Sequence, residues 1–178
     1  QPLDELRHAA HALERRPKMP IGLIASSWGG TAIEPWMSPS ALDKCGEPPT
    51  VPTSQTYWRR SPSDPGLSAT AVPSVPSTLF NSMIAPLLVL RVTGWLWYQG
   101  ESNSLQPQRY ACLFPALIAQ WRADWAAGSE YAEPTVRPFL FVQLAPWPDG
   151  DVGSIAGTRY AQLAALALPS VGMVVAAD

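Results

Sequence analysis

Trp95-Leu96-Trp97-Tyr98-Gln99-Gly100-Glu101-Ser102-Asn103 is an aromatic, apolar run that breaks off into side chains built for hydrogen bonding. Its first half is short, bulky and preceded by Gly94, the composition of a strand buried on both faces in a parallel sheet. The polar residues arrive together at the carboxyl end, which in an open α/β sheet is where ligands bind. Gln99, Glu101, Ser102 and Asn103 therefore stand where chemistry is expected. The competing reading is a strand-to-helix turn with Ser102, Asn103 or Ser104 as the helix N-cap, because caps and sites share these residue types.

Downstream, Tyr110, Leu113, Phe114, Leu117, Ile118, Trp121 and Trp125 recur at spacings of three and four, which predicts a long helix over 105–126 with one heavily apolar face. Gly128 ends it. Residues 138–144 read as a second strand, 153–168 as a helix and 172–177 as a third strand. Strand and helix alternate with connections long enough for right-handed crossovers, so the fold class is α/β with a parallel sheet.

Upstream, Leu3, Leu6, Ala10 and Leu13 predict an amphipathic first helix stopped by Pro17 and Pro20. Ile21-Gly22-Leu23-Ile24 reads as a strand, again running into a polar turn, Ser26-Ser27-Trp28-Gly29-Gly30-Thr31. Ser38-Pro39-Ser40 opens one short helix through Leu42. Proline and serine then dominate, and residues 46–77 are expected to be an exposed loop or insertion. Thr78 to Ile84 looks like a short helix stopped by Pro86.

The 178 residues are one domain's worth of chain, and 47% hydrophobic residues suffice for a sizeable core. A net charge of −2 with 15% charged residues provides no basic stripe for nucleic acid, and no apolar run approaches the roughly twenty residues of a membrane span. Cys45 and Cys112 lack metal-ligand spacing; a disulfide and two buried thiols both remain open. His8 and His11, one helical turn apart, are read as surface residues of the first helix. The chain opens on Gln1 inside a helix pattern and closes on Asp178 after a strand pattern, so a piece of a longer protein is expected.

Ala25-Ser26-Ser27-Trp28-Gly29 comes close to the Gly-x-Ser-x-Gly elbow that would make Ser27 a nucleophile, but such a serine needs a histidine base late in the chain and none occurs after His11. Alternatively, Gly29 and Gly30 offer backbone N–H groups while Gln99 and Asn103 offer side-chain amides near neighbouring strand ends. Donors of this kind suit an oxyanion hole for a tetrahedral intermediate.

Three blocks then carry a resemblance: residues 20–31 with Glu34-Pro35-Trp36 following, Phe80-Asn81-Ser82-Met83-Ile84-Ala85-Pro86-Leu87, and Trp97-Tyr98-Gln99-Gly100-Glu101-Ser102-Asn103. In this order they resemble the sialate O-acetylesterase family of SGNH-type hydrolases. The resemblance continues weakly through Tyr110 to Trp121 and Phe139 to Leu144, and covers nearly the whole chain apart from the proline-rich stretch. It implies a three-layer α/β/α domain with a mostly parallel, flavodoxin-like sheet, incomplete at both ends, of which residues 1–178 are the central part.

By the same resemblance the full enzyme uses a serine and a late histidine to remove O-acetyl groups from sialic acid or a related sugar, without metal or cofactor, in a lysosomal or secreted setting. The family's Gly-Gln-Ser-Asn-Met nucleophile block and its Asp-x-x-His-like block have no counterpart in this sequence; Asp178 matches the strand end just before the latter. What remains is the oxyanion side: Gly30, with Gly29, and either Gln99 or Asn103 as donors, and Ser27, Gly100 and Glu101 in support. Trp28, Trp36 and Arg159 are candidates for the sugar cleft, with Arg159 and Gln162 as a surface pair the plainer alternative. Two other functions stay in view, a non-catalytic carbohydrate-binding fragment and, ranked last, a hydrolase using Ser27.

Overall fold

Bulky aromatic residues alternating with aliphatic ones define the strands β1 (Trp95–Trp97) and β2 (Phe139–Gln143), and a valine-rich run defines β3 (Val171–Val175). The computed structural model describes residues 22–46, 73–128, 136–146 and 152–176, with side chains described from Ile155 onward in the last of these. The helix expected at the start of the chain, with His8 and His11, most of the proline-rich stretch, and Asp178 lie outside the described residues.

The three strands are parallel in the order β1-β2-β3, with Trp95 opposite Phe139 and Phe139 opposite Val171. Their carboxyl ends therefore share one edge of the sheet. Among the described residues three α-helices accompany them: α1 (Pro39–Leu42), α2 (Pro107–Gly128) and α3 (Val152–Gln162). Ser38 caps α1 by accepting the Ala41 N–H at 3.3 Å, as the Ser-Pro opening predicts.

One face of the sheet meets α2 in an aromatic core. Phe114 stands 5.1 Å from Phe141, 6.0 Å from Phe139 and 6.3 Å from Trp97 between ring centroids. Trp121 packs edge-on against Trp97 at 5.6 Å. The apolar stripe read from the sequence is the buried stripe, since Tyr110, Leu113, Phe114, Leu117, Ile118, Trp121 and Trp125 all lie in this core. On the opposite face Leu96, Leu140 and Val174 are exposed among the described residues.

Two ties fix the helices to the sheet. Arg122 of α2 donates to the Arg137 and Ser170 carbonyls, at the entrances of β2 and β3. At the other end of the strands Gln162 of α3, fully buried, donates to the Val142 carbonyl and accepts the Leu144 N–H.

The sequence reading needs corrections at several boundaries. Residues 22–24 form no strand: Leu23 and Ile24 are exposed, and no described segment offers this glycine-containing run a hydrogen-bond ladder. Of the apolar stretch 87–98 only Trp95–Trp97 pairs. The expected helix ending at Pro86 is a π turn, Phe80–Ile84, continued by a 3-10 turn, Ala85–Leu87, with the proline inside the first turn of the latter where it needs no N–H. The helix expected to reach Leu168 tightens after Gln162 into a 3-10 turn, Leu163–Ala167.

Cys45 and Cys112 form a disulfide, with Cα atoms 5.9 Å apart. The bridge ties the turn after α1 to the second turn of α2 and closes a span of 67 residues that includes β1.

Candidate active site

After Trp97 the chain leaves the sheet and makes a sharp bend at Gly100, whose φ of +151° is open to glycine and little else. A Cβ there would meet Leu144 Cδ1 at 3.1 Å and Thr158 Cγ2 at 3.3 Å, so β2 and α3 press the bend from behind. The chain then turns through one 3-10 turn, Glu101–Asn103, which delivers three polar side chains to the carboxyl edge of the sheet. None of them caps α2. Ser102 reaches instead across to Gly30, and Asn103 to Ile33 and Glu34.

Four hydrogen bonds stitch the two polar blocks together. Ser102 Oγ donates to the Gly30 carbonyl at 2.9 Å, and Gln99 Nε2 donates to the Thr31 carbonyl at 3.1 Å. Asn103 Oδ1 accepts the Ile33 N–H at 2.9 Å, and Asn103 Nδ2 donates to Glu34 Oε2 at 3.0 Å. A fifth runs inside the later block, from Gln99 Nε2 to Asn103 Oδ1 at 2.8 Å. Residues nearly seventy positions apart are thereby held as one unit.

The network fixes which way each amide faces. Asn103 Oδ1 receives two donors, so flipping the amide would set its NH2 against the Ile33 and Gln99 N–H groups. Gln99 uses both amide hydrogens on Thr31 and Asn103, and its Oε1 is buried with no partner among the described residues. Asn103 keeps a second amide hydrogen, for which no acceptor stands among the described residues. Of the two candidate side-chain donors, then, Asn103 retains donating capacity and Gln99 does not.

The backbone side of the site is open. Gly29 and Gly30 are exposed in a turn, with Gly30 at φ +79°, and no described residue comes within 4 Å of a Cβ built on Gly29. Thr31 underpins that turn: its Oγ1 donates to the Trp28 carbonyl at 2.8 Å and accepts Trp36 Nε1–H at 2.9 Å.

The comparisons with known proteins turn this geometry into a family assignment. Residues 5–178 match the family model described as "Carbohydrate esterase, sialic acid-specific acetylesterase". The chain belongs to this family. It is 45% identical over 127 residues to human sialate O-acetylesterase, covering 71% of this chain and 22% of that protein. With the rat sialate O-acetylesterase the identity is 40% over 148 residues, 72% of this chain and 27% of the relative. A solved structure of a carbohydrate acetylesterase from Xanthomonas citri superposes with a TM-score of 0.64 at 33% identity, covering 97% of this chain and 33% of that one. The chain thus spans about a quarter of the length of the curated relatives it matches.

Within this carbohydrate esterase framework the remaining predicted residues separate clearly. Ser27 is exposed, and no histidine stands among the described residues. Trp28 is 42% exposed beside the glycine turn, where a ligand can reach it. Trp36 is 3% exposed, packed edge-on against Trp97 at 6.3 Å, so it belongs to the core and lines no cleft. The reason lies in its contacts: its Nε1–H donates to Thr31 Oγ1 at 2.9 Å and its carbonyl accepts Trp121 Nε1–H at 3.2 Å, which hold the turn Glu34–Trp36 against α2.

Arg159 is held at the end of β2, donating to the Leu144 carbonyl and to Gln143 Oε1. Gln162 is no surface residue; besides its β2 contacts, its Nε2 donates to the Gln99 carbonyl at 3.4 Å. Tyr110 donates to that same carbonyl at 3.2 Å, and burial raises the phenol's pKa, keeping it a neutral donor. Burial likewise raises the Glu101 carboxyl above its ordinary range, partly offset by the N–H groups of Glu101 and Gly100.

Sequence reasoning passed over Glu34 and Arg109, which join the network through Asn103. Glu34 Oε1 lies 3.6 Å from Arg109 Nε, an ion pair too long to be a hydrogen bond, while Arg109 Nη1 donates to the Cys45 and Gly46 carbonyls. Only Glu34, inside the quoted Glu34-Pro35-Trp36 block, had left a signal in the sequence.

Proposed function

We propose that this chain forms the oxyanion-stabilising part of a serine-type carbohydrate acetylesterase that removes O-acetyl groups from sialic acid. The observation that carries the reading is the Asn103 amide, locked in orientation by three hydrogen bonds and left with one N–H that no described residue accepts, in a block that Ser102 ties to the exposed Gly29-Gly30 turn. In the complete site a serine attacks the acetyl carbonyl while a histidine takes its proton and later returns it to the sugar oxygen; water then releases acetate. The charge that develops on the carbonyl oxygen is met by Asn103 Nδ2–H and the Gly30 N–H, with Gly29 shaping the turn. Losing one such donor typically lowers kcat about 10²–10³-fold. Gln99, Gly100 and Ser102 hold the two halves of the hole together, Glu101 supports the bend, and Trp28 offers an aromatic surface to the sugar.

The nucleophile and histidine lie outside these 178 residues in this reading. A lysosomal or secreted location accompanies it, supported by the Cys45–Cys112 disulfide, which persists in oxidising compartments. The test is hydrolysis of 4-nitrophenyl acetate and of O-acetylated sialic acid by the 178-residue chain and by a protein extended to the span of its relatives. Activity in the extended protein alone, reduced at least a hundredfold by Asn103→Ala, is expected. Activity in the short chain that disappears with Ser27→Ala would make Ser27 the nucleophile and overturn the proposal.

A further inference from the structure

Glu34 occupies an unusual position for a carboxylate. It sits at the start of a 3-10 turn whose backbone is pinned, with its carbonyl accepting N–H groups from Met37 at 3.3 Å and Ser77 at 3.1 Å. Its side chain is 17% exposed, with one oxygen on Asn103 Nδ2 and the other beside Arg109. Arg109 is in turn held by the Cys45 and Gly46 carbonyls. A rigid chain of contacts thus runs from the disulfide through Arg109 and Glu34 to one specific hydrogen of the Asn103 amide.

We propose that Glu34 is a positioning residue for acyl transfer, acting through Asn103. An amide has two N–H bonds in one plane, so anchoring one of them on a fixed acceptor sets the direction of the other. Ile33 and Gln99 hold the oxygen end of the same amide, and two donors on Oδ1 polarise it so that its N–H groups donate more strongly. Glu34 supplies the third fixed point, and without it the amide plane can rock about the side chain's own torsions. The Arg109 guanidinium, by pairing with the carboxylate, keeps a net negative charge from facing the oxyanion that forms nearby. Misplacement of such a donor by about 1 Å is enough to lower a rate about a hundredfold.

This inference rests on Asn103 being the oxyanion donor, and the experiment separates the two. In the extended protein, kcat and KM for 4-nitrophenyl acetate are compared for wild type, Glu34→Gln, Glu34→Met, Glu34→Met/Arg109→Met, Asn103→Ala and Glu34→Met/Asn103→Ala. Glutamine keeps an acceptor for Asn103 and should hold kcat within about threefold, whereas methionine should lower kcat about 10- to 100-fold with KM nearly constant. The Met/Met pair removes the buried guanidinium that the single variant leaves without its carboxylate, and it should show the same kcat loss. Adding Glu34→Met to Asn103→Ala should cost nothing further, because the residue it acts through is already gone.

A Met/Met variant with wild-type kcat, while Asn103→Ala is strongly impaired, would overturn the role of Glu34. So would losses that multiply in the Glu34→Met/Asn103→Ala variant. Wild-type kcat in Asn103→Ala would instead overturn the oxyanion reading beneath it.

Discussion

Replacing both half-cystines, Cys45→Ala/Cys112→Ala, removes a crosslink that spans 67 residues. In the loop-entropy picture a closed loop of that length removes about 15 cal/mol/K from the unfolded chain, or about 4 kcal/mol at 25 °C. For a domain of this size about 4 kcal/mol corresponds to a fall in Tm on the order of 10 °C. The loop encloses Glu34's partner segment, β1 and the whole Gln99–Asn103 block, and Arg109 leans on the Cys45 carbonyl one turn before Cys112. The loss should therefore be felt at the site as well as in global stability. Urea titration of the oxidised wild type, the reduced wild type and the double variant measures it, with the last two expected to coincide. A loss below about 1 kcal/mol, or maleimide labelling of Cys45 in the native oxidised protein, would refute the reasoning.

Other consequences of the structure are open to simpler tests. Phe114→Ala empties the centre of the aromatic cluster and should destabilise by about 3–5 kcal/mol in denaturant titration; a loss under 1 kcal/mol would mean that α2 does not pack as described. Gly100→Ala forces a side chain into a positive-φ bend against Leu144 and Thr158, so it should cost about 1–3 kcal/mol and lower esterase kcat in the extended protein; wild-type values in both would count against the bend. Burial places the folded pKa of Glu101 above its ordinary value of 4.5, so the native chain binds more protons between the two values and stability falls as pH rises through that window. Glu101→Gln should flatten this slope in a series of unfolding titrations from pH 4 upward, and an unchanged slope would assign it to another group.

Much of the architecture was legible because it depends on local chemistry. The three-four spacing from Tyr110 to Trp125 marks a helix face whatever it packs against, and the aromatic runs at Trp95–Trp97 and Phe139–Gln143 mark strands whose aromatic face must be covered. The parallel order followed from the alternation of these elements. Residues 22–24 failed the same reading because a strand is a pairing, and a sequence shows only one partner of it. The motif blocks containing Gly29-Gly30 and Gln99–Asn103 were also visible as polar residues following apolar ones.

What the sequence determined by itself was therefore the fold class, the buried helix face and the two blocks from which a site is built, since these rest on periodicity and composition. Only the tertiary structure decided how the groups divide their hydrogen bonds. Gln99 and Asn103 carry the same amide, yet among the described residues Gln99 has both hydrogens engaged and Asn103 keeps one, and Trp36 is core while Trp28 is open. Glu34 and Arg109 entered for the same reason, as contacts between residues dozens of positions apart. A residue type states how many donors and acceptors a side chain has, but which of them remain unoccupied is set by the neighbours that folding brings to it.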